Sequence, residues 1–349
     1  NNSSPSLLTG GAFTIGRAVT VANQATSGTY TIGGNTDNNS TFSGAVTINQ
    51  PLSVTQLATT TTNTLSITGG ITTGNAGTKN LTFDNAGAVT VSTTAITPGT
   101  GNIAVVKQNS GTLTMNVANT YTGGSTLTAG ILELKNTAGL GAAGQAIALN
   151  GGTLDFDTDA TVNAYNTTVG GTVTIESDRA TSGAGITHVL GTLSIGAQTL
   201  TVNKGPNATG VTAAVSFGNL TLTGAATINT GTANVLMTGS AAGNFKLTKS
   251  GAGTLQKTTA GWTLANAFEI TAGTYDANAQ TTTVTGLATV SGGEYKANTA
   301  SQTFNGGLTI SGGTFTGLSG TAGNVTTTNL TLSSGTLSAP GSTGTFNVS

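Results

Sequence analysis

The chain has 349 residues, ten basic and eleven acidic side chains, a net charge of −1, no cysteine, and only 6% charged residues, against about 25% in an ordinary soluble domain. Without cysteine there is no disulfide framework and no thiolate metal site. Without a basic stripe, nucleic acid and anionic membranes are poor partners, and with 36% hydrophobic residues and almost no net charge the chain falls outside the disordered class.

No apolar run approaches the roughly 20 residues of a membrane-crossing helix, so no transmembrane helix is expected. The predicted elements are short strands from end to end. Residues 1–104 already show the pattern in Leu65, Ser66, Ile67 and Thr68: apolar and small polar residues alternate, as on a strand buried on one face. Helical spacing is nearly absent, and Gly-Gly, Asn-Gly and Ser-Gly pairs mark tight turns. From residue 127 a block recurs in which a branched or leucine residue is followed three positions on by glycine and five positions on by a large apolar residue. It appears as Leu127 to Leu132, Leu149 to Leu154, Ile270 to Tyr275, Val290 to Tyr295, Ile310 to Phe315 and Leu332 to Leu337. Successive starts at 270, 290, 310 and 332 are 20, 20 and 22 residues apart.

A period of about 20–22 residues, with two or three strands and a glycine turn at fixed phase, describes one coil of a parallel β-helix. The fold class is therefore all-β, a parallel β-solenoid. Four regions are expected: N-terminal coils over 1–104, a distinctive stretch over 105–156, an irregular β region over 157–250 and regular coils over 251–349. In the third the glycines are unevenly spaced, which leaves room for a sandwich-like insertion.

Residues 105–156 carry the most distinctive run: Val106 and Lys107, Gly111 to Thr114, Asn119-Thr-Tyr-Thr-Gly-Gly-Ser-Thr126, then Leu132 to Leu134 and Leu149 to Phe156. This resembles the autotransporter-associated β-strand repeat of bacterial surface passengers. A fainter copy runs from Lys249 to Leu255 and on to Ile270 and Gly273, with Ala260-Gly-Trp-Thr263 in place of the Asn-Thr-Tyr-Thr core. The resemblance implies a surface-exposed β-helix and no particular activity.

Candidate chemistry is sparse. Asp155, Asp157 and Asp159 alternate, which on a strand puts three carboxylates on one face; such a group would suit Ca²⁺, the one cofactor the sequence suggests. Gly139 to Gly144 matches a dinucleotide fingerprint by letter, but no helix is predicted after it to hold a pyrophosphate, so it reads as a turn. His188 is the only histidine, which rules out a site of several imidazoles. A β-helix polysaccharide-cleaving enzyme would need Asp155 to Asp159 opposite Lys135 or Arg179 in one cleft. Tyr275, Tyr295 and Phe315 fall at one phase and are expected to stack between coils.

The sequence therefore reads as a non-enzymatic, extracellular or cell-surface structural protein. A β-solenoid has open sheet edges at its two ends, and Gly344 to Ser349 has the look of a strand in mid-course. Self-association into a filament, sheath or surface layer is the leading expectation. A passenger stalk of an adhesin that binds cell-surface glycans is the alternative.

Overall fold

The structure is a computed structural model and describes residues 4–23, 28–58, 62–317, 323–338 and 344–349. It is a β-solenoid of about 15 turns, with no helix among the described residues. The chain forms two compact units, residues 1–166 and 167–349.

In the first unit each turn contributes strands to parallel ladders. One ladder runs from Ser6–Thr9 through Tyr30–Gly34, Leu52–Gln56, Thr78–Asp84, Asn102–Gln108 and Ser125–Leu127 to Ala146–Leu149. A second runs from Thr14–Ile15 to Thr153–Asp157. The register is set by the alternation. Leu65, Val89, Leu113, Leu132 and Leu154 are successive ladder partners, and all are fully buried. A one-residue slip would turn that whole column outward. Each such side chain contributes about 1.5–3 kcal/mol by burial, but only when a neighbouring turn covers it.

The second unit follows the same rule. Strands Val173–Asp178, Thr199–Lys204, Ala226–Thr230, Leu247–Ser250, Phe268–Ile270, Ala288–Val290, Leu308–Thr316 and Leu330–Ser338 pair in parallel. A further side is formed by Trp262–Leu264, Thr282–Val284, Gln302–Phe304, Val325–Thr327 and Phe346–Val348. On that side Thr263, Thr283, Thr303 and Thr326 share one phase, giving a neutral hydroxyl column outside the core.

Residues 167–250 also pair in parallel, so the sandwich-like insertion is not formed there; what varies is the length of the turn. Val173 pairs with Leu200 and Leu200 with Ile228, 27 and 28 residues apart. Phe268 pairs with Ala288 and Ala288 with Leu308, each 20 apart. The longer turns hold an extra pair of short strands, Gly183–Ala184 and Ala208–Thr209. The expected aromatic stack is present: Tyr275 pairs with Tyr295 and Tyr295 with Phe315. The ring centroids are 4.9 Å apart in both steps and all three rings are fully buried, so they are core and offer no sugar-stacking platform.

Candidate functional site

The acidic strand and its cation lie on neighbouring turns. Strands Ile131–Leu134 and Thr153–Asp157 are ladder partners, which sets Glu133 beside Asp155. Lys135 Nζ is 2.8 Å from Asp157 Oδ2 and 3.4 Å from Glu133 Oε1, and Glu133 Oε2 also accepts from Thr114 Oγ1 at 2.6 Å. Hydrogen bonding to Asp157 raises the Lys135 ammonium above its ordinary value. Asp157 is buried, and its Oδ1 has no hydrogen-bond partner. Asp155 and Asp157 are alternate residues of strand Thr153–Asp157, and Asp159 lies beyond its end and is exposed. Among the described residues no group of three or more His, Asp and Glu is placed to hold a metal ion. What the arrangement does is neutralise carboxylates across two turns.

The Asn119 motif fastens three turns. Its Oδ1 accepts Ile96 N–H at 2.8 Å, its Nδ2 donates to Gly139 O at 2.7 Å, and it is buried. Tyr121 fills the core behind it, its hydroxyl 2.8 Å from Ser125 Oγ, and burial pushes that phenol up well above its usual range. The fingerprint-like glycines sit in this region as turns. Gly141 and Gly144 have φ of 90° and 83°, and the chain passes from them into strand Ala146–Leu149 with no helix.

Three lysines occupy inward positions that sequence reasoning did not identify. Lys107, Lys249 and Lys257 are fully buried. Lys107 Nζ donates to the carbonyls of Gln108 and Asn109 at 2.7 Å each and to Ala129 O on the next turn at 3.4 Å. Lys249 repeats the arrangement on Ser250 and Gly251 at 2.9 Å each and on Ala272 at 2.8 Å. Both lie opposite a left-handed glycine on the next turn, Gly130 with φ of 73° and Gly273 with φ of 62°. A Cβ there would fall 2.2–2.4 Å from main-chain carbonyl oxygens of the preceding turn and 2.7 or 2.8 Å from the ammonium nitrogen, so the backbone approach and the positive φ together require glycine. Lys257 Nζ reaches Thr282 Oγ1 at 2.8 Å and the carbonyl of Thr281. Burial lowers Lys107 and Lys249 to about 8, Asp84 opposing the shift at Lys107, and lowers Lys257 to about 7. The sequence signal was present: each lysine is in phase with the buried residues of its strand, where a solvated lysine would be out of phase.

Four further titratable groups, His188, Asp178, Glu176 and Arg179, lie close together in the second unit. His188 is buried, its Nε2 3.0 Å from the main-chain oxygen of Asp178, and burial lowers its pKa against the opposing influence of Asp178. Asp178 Oδ1 accepts the N–H groups of Asn207 and Ala208. Burial, with the Asp178 charge second, raises Glu176. Arg179 donates to Ala184 O at 2.7 Å.

These contacts define a class: a parallel β-solenoid in which buried polar side chains tie turn to turn. The passenger-associated-transport repeat matches residues 105–134, the segment built around Lys107, Asn119 and Tyr121. No curated protein and no solved structure matches the chain.

Proposed function

We propose that the chain is part of a bacterial autotransporter passenger, displayed at the cell surface or released, whose role is mechanical: a non-enzymatic β-solenoid that assembles with copies of itself into a filament, sheath or layer. The observation that carries the reading is the passenger-associated-transport repeat at 105–134 set in continuous parallel ladders. Stacked turns bury their core only against one another, which makes the backbone architecture itself the product. The low charge supports assembly, because little repulsion opposes the packing of neutral faces such as the Thr263 to Thr326 column.

Electron microscopy of the purified chain at neutral pH tests this. Ordered fibres or sheets are the expected result, and dispersed single particles at high concentration would refute self-assembly. Protease accessibility on intact producing cells tests display separately. A carbohydrate-binding stalk is the second reading, favoured by one feature, an open notch lined by Lys204, Val211, Thr232 and Asn234 with no carboxylate on its walls.

A further inference from the structure

The change in turn length within the second unit leaves a concavity. The turns at 173–228 are 27 and 28 residues long, whereas Ala226 pairs with Leu247 after 21. The extra length is the ledge built on Gly183–Ala184 and Ala208–Thr209, pinned by Thr212 Oγ1 on Gly185 O at 2.7 Å and by the two N–H groups on Asp178. The following turns have no matching ledge. Where it stops, a notch of about 500 Å³ opens between the loop from Lys204 to Val211 and the main chain at Gly231 and Gly253. That volume is in the range of small-ligand sites, roughly 300–1,000 Å³.

The lining has a consistent chemistry. Lys204 supplies an ammonium whose recorded acceptor is Gly210 O at 3.2 Å, and since an ammonium has three donors, donors remain for a ligand. No carboxylate lines the notch. Thr232 Oγ1 accepts Lys204 N–H at 3.0 Å, which leaves its hydroxyl proton to donate. Asn234 donates to Val211 O and accepts from Thr254 N, which fixes the loop against the next turn. Val211, at 84% exposed, puts an apolar branched side chain at the rim.

One cation, a hydroxyl donor, open glycine backbone and one apolar contact match a sugar that carries a carboxylate. We propose that this notch binds a hexuronate unit of an acidic glycan, the carboxylate on Lys204 and a ring face against Val211. The proposal deepens the carbohydrate-binding reading by naming its substrate class and is independent of the assembly reading, and micrographs of the same samples keep the two separate.

The test is calorimetric titration of the full chain with trigalacturonate and with the neutral trigalactose, repeated on Lys204→Met and on Lys246→Met. Lys246 pairs with Glu269 outside the notch and serves as the charge-matched control. Trigalacturonate is expected to bind at least about tenfold more tightly than the neutral sugar, the size of one charge-assisted hydrogen bond. Lys204→Met should abolish that preference while melting as the parent does, and Lys246→Met should keep it. Equal binding of both sugars, loss in both variants, no binding at all, or displacement by acetate at the same concentration as trigalacturonate would overturn the assignment.

Discussion

Replacing Lys249 by methionine keeps most of the buried volume and removes the ammonium, which isolates what the charge does. Its three acceptors, Ser250 O, Gly251 O and Ala272 O, lie at 2.8–2.9 Å and stay behind in the variant. Two effects oppose one another. Removing a buried charge recovers several kcal/mol of desolvation, whereas buried acceptors left without a donor cost about 1–3 kcal/mol each. When both partners of a buried pair are replaced by apolar residues, the first effect often wins. Here only one partner goes, so the second wins, with a net loss of about 2–4 kcal/mol. Lys249→Ala should cost about 2–5 kcal/mol more through the lost methylenes and the cavity. Trp262, the single tryptophan, is buried in the same turn as Lys249 and Lys257, and Lys257 Nζ lies 6.0 Å from its ring centre, so its fluorescence in a urea titration reports on this part of the ladder. A methionine variant as stable as the parent would refute the latch reasoning, and an alanine variant no worse than methionine would refute the packing part.

Alkaline pH should stabilise the protein before it destabilises it. The folded-state values of Lys107, Lys249 and Lys257, about 8, 8 and 7 against an ordinary 10.5, mean that the unfolded chain binds more protons between those limits, so stability rises with pH there. Melting temperature is expected to climb from pH 7 to 9.5, less so in Lys249→Met; a flat or falling profile would show that the carbonyls hold all three ammonium groups at their ordinary affinity. Tyr295→Ala removes the middle ring of the 4.9 Å stack and should cost about 3–5 kcal/mol by thermal or urea unfolding; a loss under 1 kcal/mol would mean the stack is loosely packed. Lys135→Ala should cost about 1–3 kcal/mol, because Lys135 is 41% exposed but its loss leaves the buried Asp157 carboxylate without its cation; Asp157→Asn in the same background should recover part of the loss, and no recovery in the double mutant would refute the pairing. Since Lys135 already faces Asp157, a chelator should leave the melting temperature unchanged; a drop of several degrees would put calcium on Asp155, Asp157 and Asp159.

How much was legible depended on what the ladder conserves. Over 270–332 the spacing of Ile270, Val290, Ile310 and Leu332 matches the register residue by residue, because there every turn has nearly the same length. From 173 to 228 the same ladder exists but its rungs are 27 and 28 residues apart. Pairing follows the inward and outward alternation of side chains, so residues added at a corner change the spacing without changing the pairing. A search for one period therefore loses a region that the physics of the sheet keeps.

The buried lysines were hidden for a different reason. Lysine is almost never fully buried unless paired, and its partners here are main-chain carbonyls, which have no sequence letter. Only the phase of Lys107, Lys249 and Lys257 among inward residues, with a glycine on the facing turn for the first two, marks them. The notch at Lys204 lies one step further from the sequence. It exists because a long turn is followed by a short one, a difference between two segments that neither segment contains. In a fold made of repeated turns, cohesion is therefore written into the repeat, and binding capacity arises where the repeat changes length.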